Sequence, residues 1–265
     1  MSETSGVKVQ TFWEHLDELR GCLVKIAFVV VLFGIIAFLF KGEMFDIVLA
    51  PKQGDFVTYR LFAVVSGWFP FEGITPDTFS VKLINTGLAE QFLIHMKTSI
   101  YVGVLCASPY ILYLLFRFVS PALYSKEKKY VSRMVAGGYV MFMLGVALSY
   151  FLIFPLTFRF LGTYQVSTEV ENMISLQSYM DTLMMMNLMM GIVFEIPILC
   201  WLLAQFGLIS VEFMRRYRRH AVVIILVVAA IITPTSDVFT LLLVSLPMWL
   251  LYEISILIVK HTKRE

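Results

Sequence analysis

The sequence predicts an all-α polytopic membrane protein with six transmembrane helices and both termini cytoplasmic. Three observations lead there. Of 265 residues, 59% are hydrophobic and 15% charged, whereas an average soluble domain carries about 25% charged residues. The apolar residues gather into about six stretches able to cross a bilayer core of roughly 30 Å. Lys and Arg then fall between alternate stretches, as the positive-inside rule requires. A soluble globular enzyme is excluded, and a net charge of +2 is too small to argue for nucleic acid.

Residues 1–265 read as one integral membrane unit. Met1 to Gln10 lacks the basic-then-apolar layout of a cleavable signal, so the first apolar stretch is expected to stay as an anchor. Spans are expected near 22–42, around the uncharged run Ile26 to Phe40, and 93–116, around Thr98 to Phe116. The third covers 134–160, including the uncharged run Met134 to Phe158. The fourth, 176–206, is interrupted by Glu195 and Pro197 and is long enough to tilt or kink. A fifth at 220–232 is short, since its helix covers roughly 20 Å against a core near 30 Å. The sixth, 239–259, contains Glu253. Residues 43–92 form a long external loop.

Counting bases tests the orientation. Lys8, Arg20 and Lys25 lie at the head. Arg117, Lys126, Lys128, Lys129 and Arg133 follow the second span. Arg215, Arg216, Arg218 and Arg219 precede the fifth, and Lys260, Lys263 and Arg264 close the chain. That is 15 of the 21 Lys and Arg on one side, the cytoplasmic one. No internal repeat is present, which weakens a secondary-transporter reading. Cys22, Cys106 and Cys200 give neither a disulfide framework nor metal spacing, and they leave the redox compartment open.

Few residues in such a chain can carry chemistry. Thr11 and Glu14 fit a capping box that starts a helix just before the membrane. Along it His15, Glu18 and Cys22 share one face and Leu16, Leu19 and Leu23 another, the pattern of an amphipathic helix lying on or entering the surface. From periodicity alone this is an interfacial anchor with a solvated acidic face. Glu127 sits among Lys126, Lys128 and Lys129, and taken alone pairs with a neighbour for less than about 1 kcal/mol.

Glu195 is the sharpest signal, because a charge near mid-membrane costs at least ~2.5–3.5 kcal/mol and is seldom kept without use. The alternative is a protonated acid bonded to a neighbouring helix, with Pro197 merely kinking the span. Glu253 lies nearer the cytoplasmic end, where a helix partner or water can serve it, and Asp237 suits a cap for the last helix. The methionine cluster Met184, Met185, Met186, Met189 and Met190 reads as adaptable packing. The four histidines have no HExxH or carboxylate spacing, and there is no phosphate-binding loop or GxSxG elbow, so no metal, cofactor or catalytic residue is expected.

Four short motifs now assemble in order: His15-Leu-Asp-Glu18-Leu-Arg20 before the first span, and Phe118-x-x-Pro121-x-Leu123-Tyr124-x-x-Glu127 after the second. Phe194-Glu195-x-Pro197 follows in the fourth, and Thr233-Pro234-x-x-Asp237 between fifth and sixth. On a six-span topology with both ends inside, these resemble the TatC family, the multi-spanning subunit of the twin-arginine protein translocase. The resemblance covers nearly the whole chain, except the first ten residues and much of the loop between Pro51 and Ile84.

The resemblance implies a receptor for signal peptides carrying two adjacent arginines, located in the cell inner membrane. It would work in several copies with single-span TatA- and TatB-type partners to move folded proteins on the proton motive force. By motif, Glu18 and Glu127 would contact the arginine pair, Phe118, Leu123 and Tyr124 would shape that site, and Arg20 would support the first helix. Glu195 would be the intramembrane polar residue of the concave side, beside Pro197, and Pro51 and Asp237 would be functionally sensitive outer-loop positions. The chemistry is coherent on its own terms, since guanidinium groups form directional, fork-like bonds with carboxylates. Losing one such bond, worth ~1.5–3 kcal/mol, weakens binding roughly tenfold to a hundredfold.

The chain departs from the family's pattern at Cys22, a position often basic, and at Leu241, often Gln; the external loop with Trp68, Phe69, Pro70 and Phe71 is expanded. Two other classes compete: a proton-coupled small-solute transporter using Glu195, and an intramembrane enzyme, which would need a second polar group at that depth.

Overall fold

A computed structural model describes residues 12–66, 82–119, 131–165, 167, 172–233 and 237–262. Eleven α-helices occur among them: α1 (Phe12–Leu39), α2 (Lys41–Leu49), α3 (Val57–Ser66), α4 (Glu90–Val119), α5 (Val131–Leu148), α6 (Phe154–Thr163), α7 (Leu176–Val193), α8 (Ile196–Gln205), α9 (Val211–Arg216), α10 (Arg218–Ile232) and α11 (Val238–Thr262). Two short strands, β1 (Leu83–Ile84) and β2 (Ile174–Ser175), pair in parallel.

Five segments are long and apolar enough to cross a membrane: Trp13–Leu39, Glu90–Phe118, Met134–Thr163, Leu176–Gln205 and Val238–His261. The chain is therefore a polytopic helical membrane protein. The apolar α10 has 15 residues, about 22 Å of helix, short of a 30 Å hydrocarbon core. The juxtamembrane helix and the first span are one continuous helix, α1, rather than a surface helix followed by a span. It begins at Phe12; Thr11 lies outside the described residues.

Small residues let the helices approach closely. α1 and α4 run antiparallel along their lengths, and a Cβ at Gly103 would sit 2.6 Å from the Val30 carbonyl oxygen and 2.8 Å from the Gly34 nitrogen. Between α5 and α7, a Cβ at Gly145 would sit 2.5 Å from the Met190 carbonyl. Dispersion contacts between such close backbones hold helices together in lipid, where the hydrophobic effect gives no drive. Met180, Met186 and Met190 of α7 are fully buried, as adaptable packing predicts, while Met185 faces out.

Prolines shape the remaining spans, because each lacks an N–H and leaves the carbonyl four residues back without its helical partner. Pro155 frees Phe151, the helix widens into a π turn over Ser149–Ile153, and the Thr58 hydroxyl donates to the Phe151 carbonyl instead. Pro109 frees Leu105, whose carbonyl accepts from the Ser108 hydroxyl at 2.7 Å. Pro197 ends α7 outright, and the chain breaks at Phe194 and Glu195 before α8 resumes. The kink expected in the fourth span is thus a helix break.

Both ends of the described chain lie at one end of the bundle. His15 of α1 reaches the last turn of α4, and near the C-terminus of α11 the Tyr252 hydroxyl donates to the Met214 carbonyl of α9 at 2.8 Å. At this terminal end Arg218 meets Glu253 at 2.8 Å, joining α10 to α11 and giving Glu253 its helix partner. At the far end the two loops are tied by the pairing of Leu83 with Ile174 and Ile84 with Ser175.

Candidate functional site

Three clusters hold the residues singled out by sequence. At the terminal end, Glu18 is half-buried and Arg20 exposed on α1. One turn before Glu18, the His15 ring stacks on Phe118 with centroids 4.2 Å apart and planes 18° from parallel. Phe118 lies in the last turn of α4, so its motif meets the motif of α1 directly. Helical spacing puts His15 and Glu18 on one side of α1, the side that meets the last turn of α4 at Phe118. Leu123, Tyr124 and Glu127 lie on that stretch, outside the described residues. Sequence reasoning gave His15 a place on the acidic face but not its role as the contact between the two segments.

The second cluster surrounds Glu195. Its backbone occupies the break between α7 and α8, and its carbonyl accepts from Leu199 N–H at 2.9 Å, so it starts the next helix. The residue is only 7% exposed, and neither carboxylate oxygen has a hydrogen-bond partner among the described residues. Its side chain lies against Gly138 of α5, where a Cβ would come within 3.1 Å of Oε2. It borders a cavity of about 440 Å³ lined by Ser108, Leu112 and Phe116 of α4, Phe142 of α5, Ile192 of α7 and Leu199 of α8. Those walls are apolar apart from Ser108, whose hydroxyl is already given to Leu105. Pro197 is buried in the first turn of α8, where a missing N–H costs little.

The third cluster is at the far end. Pro51 is buried in the 3₁₀ turn Ala50–Lys52. Its carbonyl and that of Pro155 both lie within reach of the Tyr59 hydroxyl, at 3.1 and 3.0 Å. Tyr179 donates to the Val48 carbonyl at 3.0 Å. Arg159 lies 5.5 Å from the centre of the Tyr59 ring. Burial pushes the Tyr59 phenol well above its ordinary pKa, so it stays a hydrogen-bond donor at any physiological pH. Tyr59, Arg159 and Tyr179 escaped sequence reasoning because each is unremarkable in the linear chain. Asp237 Oδ1 accepts from Thr240 N–H at 2.7 Å and caps α11, as its position suggested.

No group of His, Cys, Asp or Glu able to hold a metal ion occurs among the described residues.

The chain has relatives among known proteins over most of its length. A family model described as "Sec-independent protein translocase protein (TatC)" matches residues 14–247. Among relatives, a Sec-independent protein translocase protein TatC of Blattabacterium sp. subsp. Periplaneta americana is 35% identical over 250 residues, covering 93% of this chain and 94% of the relative. The TatC of Aquifex aeolicus is 35% identical over 254 residues, covering 95% of each. A crystal structure of a twin arginine translocase receptor, TatC, superposes with a TM-score of 0.74 at 33% identity, covering 94% of this chain and all of the other.

Proposed function

The chain belongs to the TatC family of Sec-independent protein translocase components, and from that premise we propose that it recognises twin-arginine signal peptides at its terminal end. It is a transport component and not a catalytic enzyme. In this reading the bundle has six spans, α10 being the fifth, and its terminal end faces the cytoplasm from the cell inner membrane. Single-span partners of the TatA and TatB types assemble with it in several copies, and folded cargo crosses on the proton motive force.

The observation that supports this reading best is the stack of His15 on Phe118. It joins the segment bearing Glu18 to the base of the segment bearing Glu127, which follows Phe118 by nine residues. Two carboxylates near one another on a strongly basic face form a selective trap for a dibasic tag, since the surrounding Lys and Arg repel other cations. Phe118, Leu123 and Tyr124 supply the apolar wall for the aliphatic stems of the arginines, and Arg20 braces α1. Glu195 with Pro197 serves the intramembrane step, and Pro51 and Asp237 hold the far-end loops in shape.

Charge reversal tests the trap. In Glu18→Lys and Glu127→Lys, crosslinking to a twin-arginine peptide is expected to fall tenfold or more, each removing a charge-assisted bond of ~1.5–3 kcal/mol. Undiminished crosslinking in both folded variants refutes the assignment. The cavity at Glu195 favours one other reading, a proton-coupled solute transporter. A proton relay, however, needs successive polar groups, and among the described residues the wall beside Glu195 offers only Ser108. Export of a folded twin-arginine reporter on complementation separates the two, since a solute transporter does not support it.

A further inference from the structure

We infer that the groove between α4 and α7 holds one zwitterionic phospholipid of the far-end leaflet, its headgroup seated on Lys97 and Asp181 and its chains lying toward Glu195. Lys97 Nζ lies 3.1 Å from Asp181 Oδ1 and 3.4 Å from Oδ2, and Gln177 Nε2 donates to Oδ2 at 3.4 Å. The pair joins two membrane-crossing helices, yet its side chains remain 50% and 44% exposed. A bridge whose only task was to join α4 to α7 gains nothing from that exposure.

Depth places the pair at a headgroup. The span Glu90–Phe118 is centred on residue 104, so about 15 Å of half-bilayer brings the hydrocarbon boundary near residue 94. Lys97 lies just inside it, with a stem able to lift its ammonium to the phosphate level. The span Leu176–Gln205 is centred near residue 190, which puts Asp181 at the boundary itself.

Direction places the lipid chains. On α4, positions 97, 104, 108, 111 and 115 recur on one face, and on α7 so do 181, 188 and 192. From Val104 and Leu188 onward these residues line the 440 Å³ cavity that Glu195 borders. A single leaflet's chains reach about 15 Å, and the 11 residues from Asp181 to Ile192 cover roughly the same length of helix. One apolar chain thus extends from the charged pair to the cavity wall, stopping short of the carboxylate.

Complementarity selects the headgroup. Lys97 suits a phosphodiester, and Asp181 accepts from a primary ammonium, which carries three N–H donors. Phosphatidylethanolamine offers both. Phosphatidylglycerol lacks the cation, and phosphatidylcholine has a cation without N–H donors.

The full-length protein, delipidated in detergent and titrated with dioleoyl phosphatidylethanolamine, phosphatidylglycerol or phosphatidylcholine, is read by native mass spectrometry. The wild-type chain is expected to retain phosphatidylethanolamine about tenfold better than the other two. Asp181→Asn is expected to erase or invert the preference over phosphatidylglycerol, because Lys97 then faces the phosphate alone. Lys97→Gln is expected to lose retention of phosphatidylethanolamine and Lys97→Arg to keep it, which covers the case of Asp181→Asn failing to fold. Val104→Trp leaves the pair intact, fills the groove and is expected to reduce retention severalfold. Equal retention of all three lipids by the wild-type chain, an unchanged ratio in Asp181→Asn, or undiminished retention in Val104→Trp overturns the proposal.

Discussion

At the scale of single residues, Glu195 stands in an environment that opposes it: buried at 7% exposure, facing an apolar cavity, with no hydrogen-bond partner among the described residues. A carboxyl at this depth costs at least ~2.5–3.5 kcal/mol when charged, so its presence works against the fold. Glu195→Leu is therefore expected to raise the thermal unfolding temperature in detergent while abolishing export of a folded twin-arginine reporter. Glu195→Gln keeps the shape and polarity and should hold stability near wild type. A Glu195→Leu protein that exports normally would remove Glu195 from the mechanism. Asp237 shows the opposite balance, since its carboxylate directly caps α11. Asp237→Ala should lower stability by ~0.5–2 kcal/mol and Asp237→Asn by little, as measured by equilibrium unfolding in mixed micelles.

At the scale of elements, what was legible in the sequence and what was not divide along a physical line. Apolar run length fixes where long helices form, so the helices around Thr98 to Phe116 and Met134 to Phe158 were legible, as was the interruption at Glu195 and Pro197. The form of each interruption was not. Pro155 produces a π turn because Thr58, nearly a hundred residues earlier in the chain, supplies the missing donor to Phe151. Pro109 passes without a break because Ser108 supplies it to Leu105 locally. A proline's effect depends on who satisfies the freed carbonyl, and a partner far off in sequence leaves no local mark. His15 and Phe118 each stood in a motif of the sequence, but their stack needed the antiparallel pairing of α1 with α4. Lys97 and Asp181 stayed hidden for the same reason. That α1–α4 pairing carries its own test. A Cβ at Gly103 meets backbone atoms at 2.6 and 2.8 Å, while one at Gly34 finds nothing nearer than 3.5 Å. Gly103→Ala should thus force the helices apart and lower stability by ~1–3 kcal/mol, the range of overpacking, with Gly34→Ala near neutral in the same assay. Equal effects of the two would mean that the helices do not meet at this register.

At the scale of the whole molecule, the bundle is held at both ends and mismatched in its middle. Arg218 with Glu253 and Tyr252 with Met214 fasten α9, α10 and α11 at the terminal end, and the β1–β2 pairing joins the loops at the far end. As the fifth span of the proposed reading, α10 offers about 22 Å of helix beside spans of 24 to 30 residues, or roughly 36 to 45 Å. Tilting only shortens a helix's reach across the membrane, so lipid next to α10 must thin or water must enter at its ends. Bilayer thickness is then a stability variable. Reconstituted in nanodiscs of phosphatidylcholine with 14-, 18- or 22-carbon chains, the protein should unfold at the highest temperature in the thinner bilayers, because mismatch costs fractions of a kcal/mol per Å. Inserting four apolar residues after Val227 adds about 6 Å and one turn to α10, and should move that optimum toward the thicker ones. If unfolding temperature is flat across the three, or the insertion leaves the optimum in place, α10 does not set the match between protein and membrane, and its shortness has no bearing on how the bundle sits in lipid.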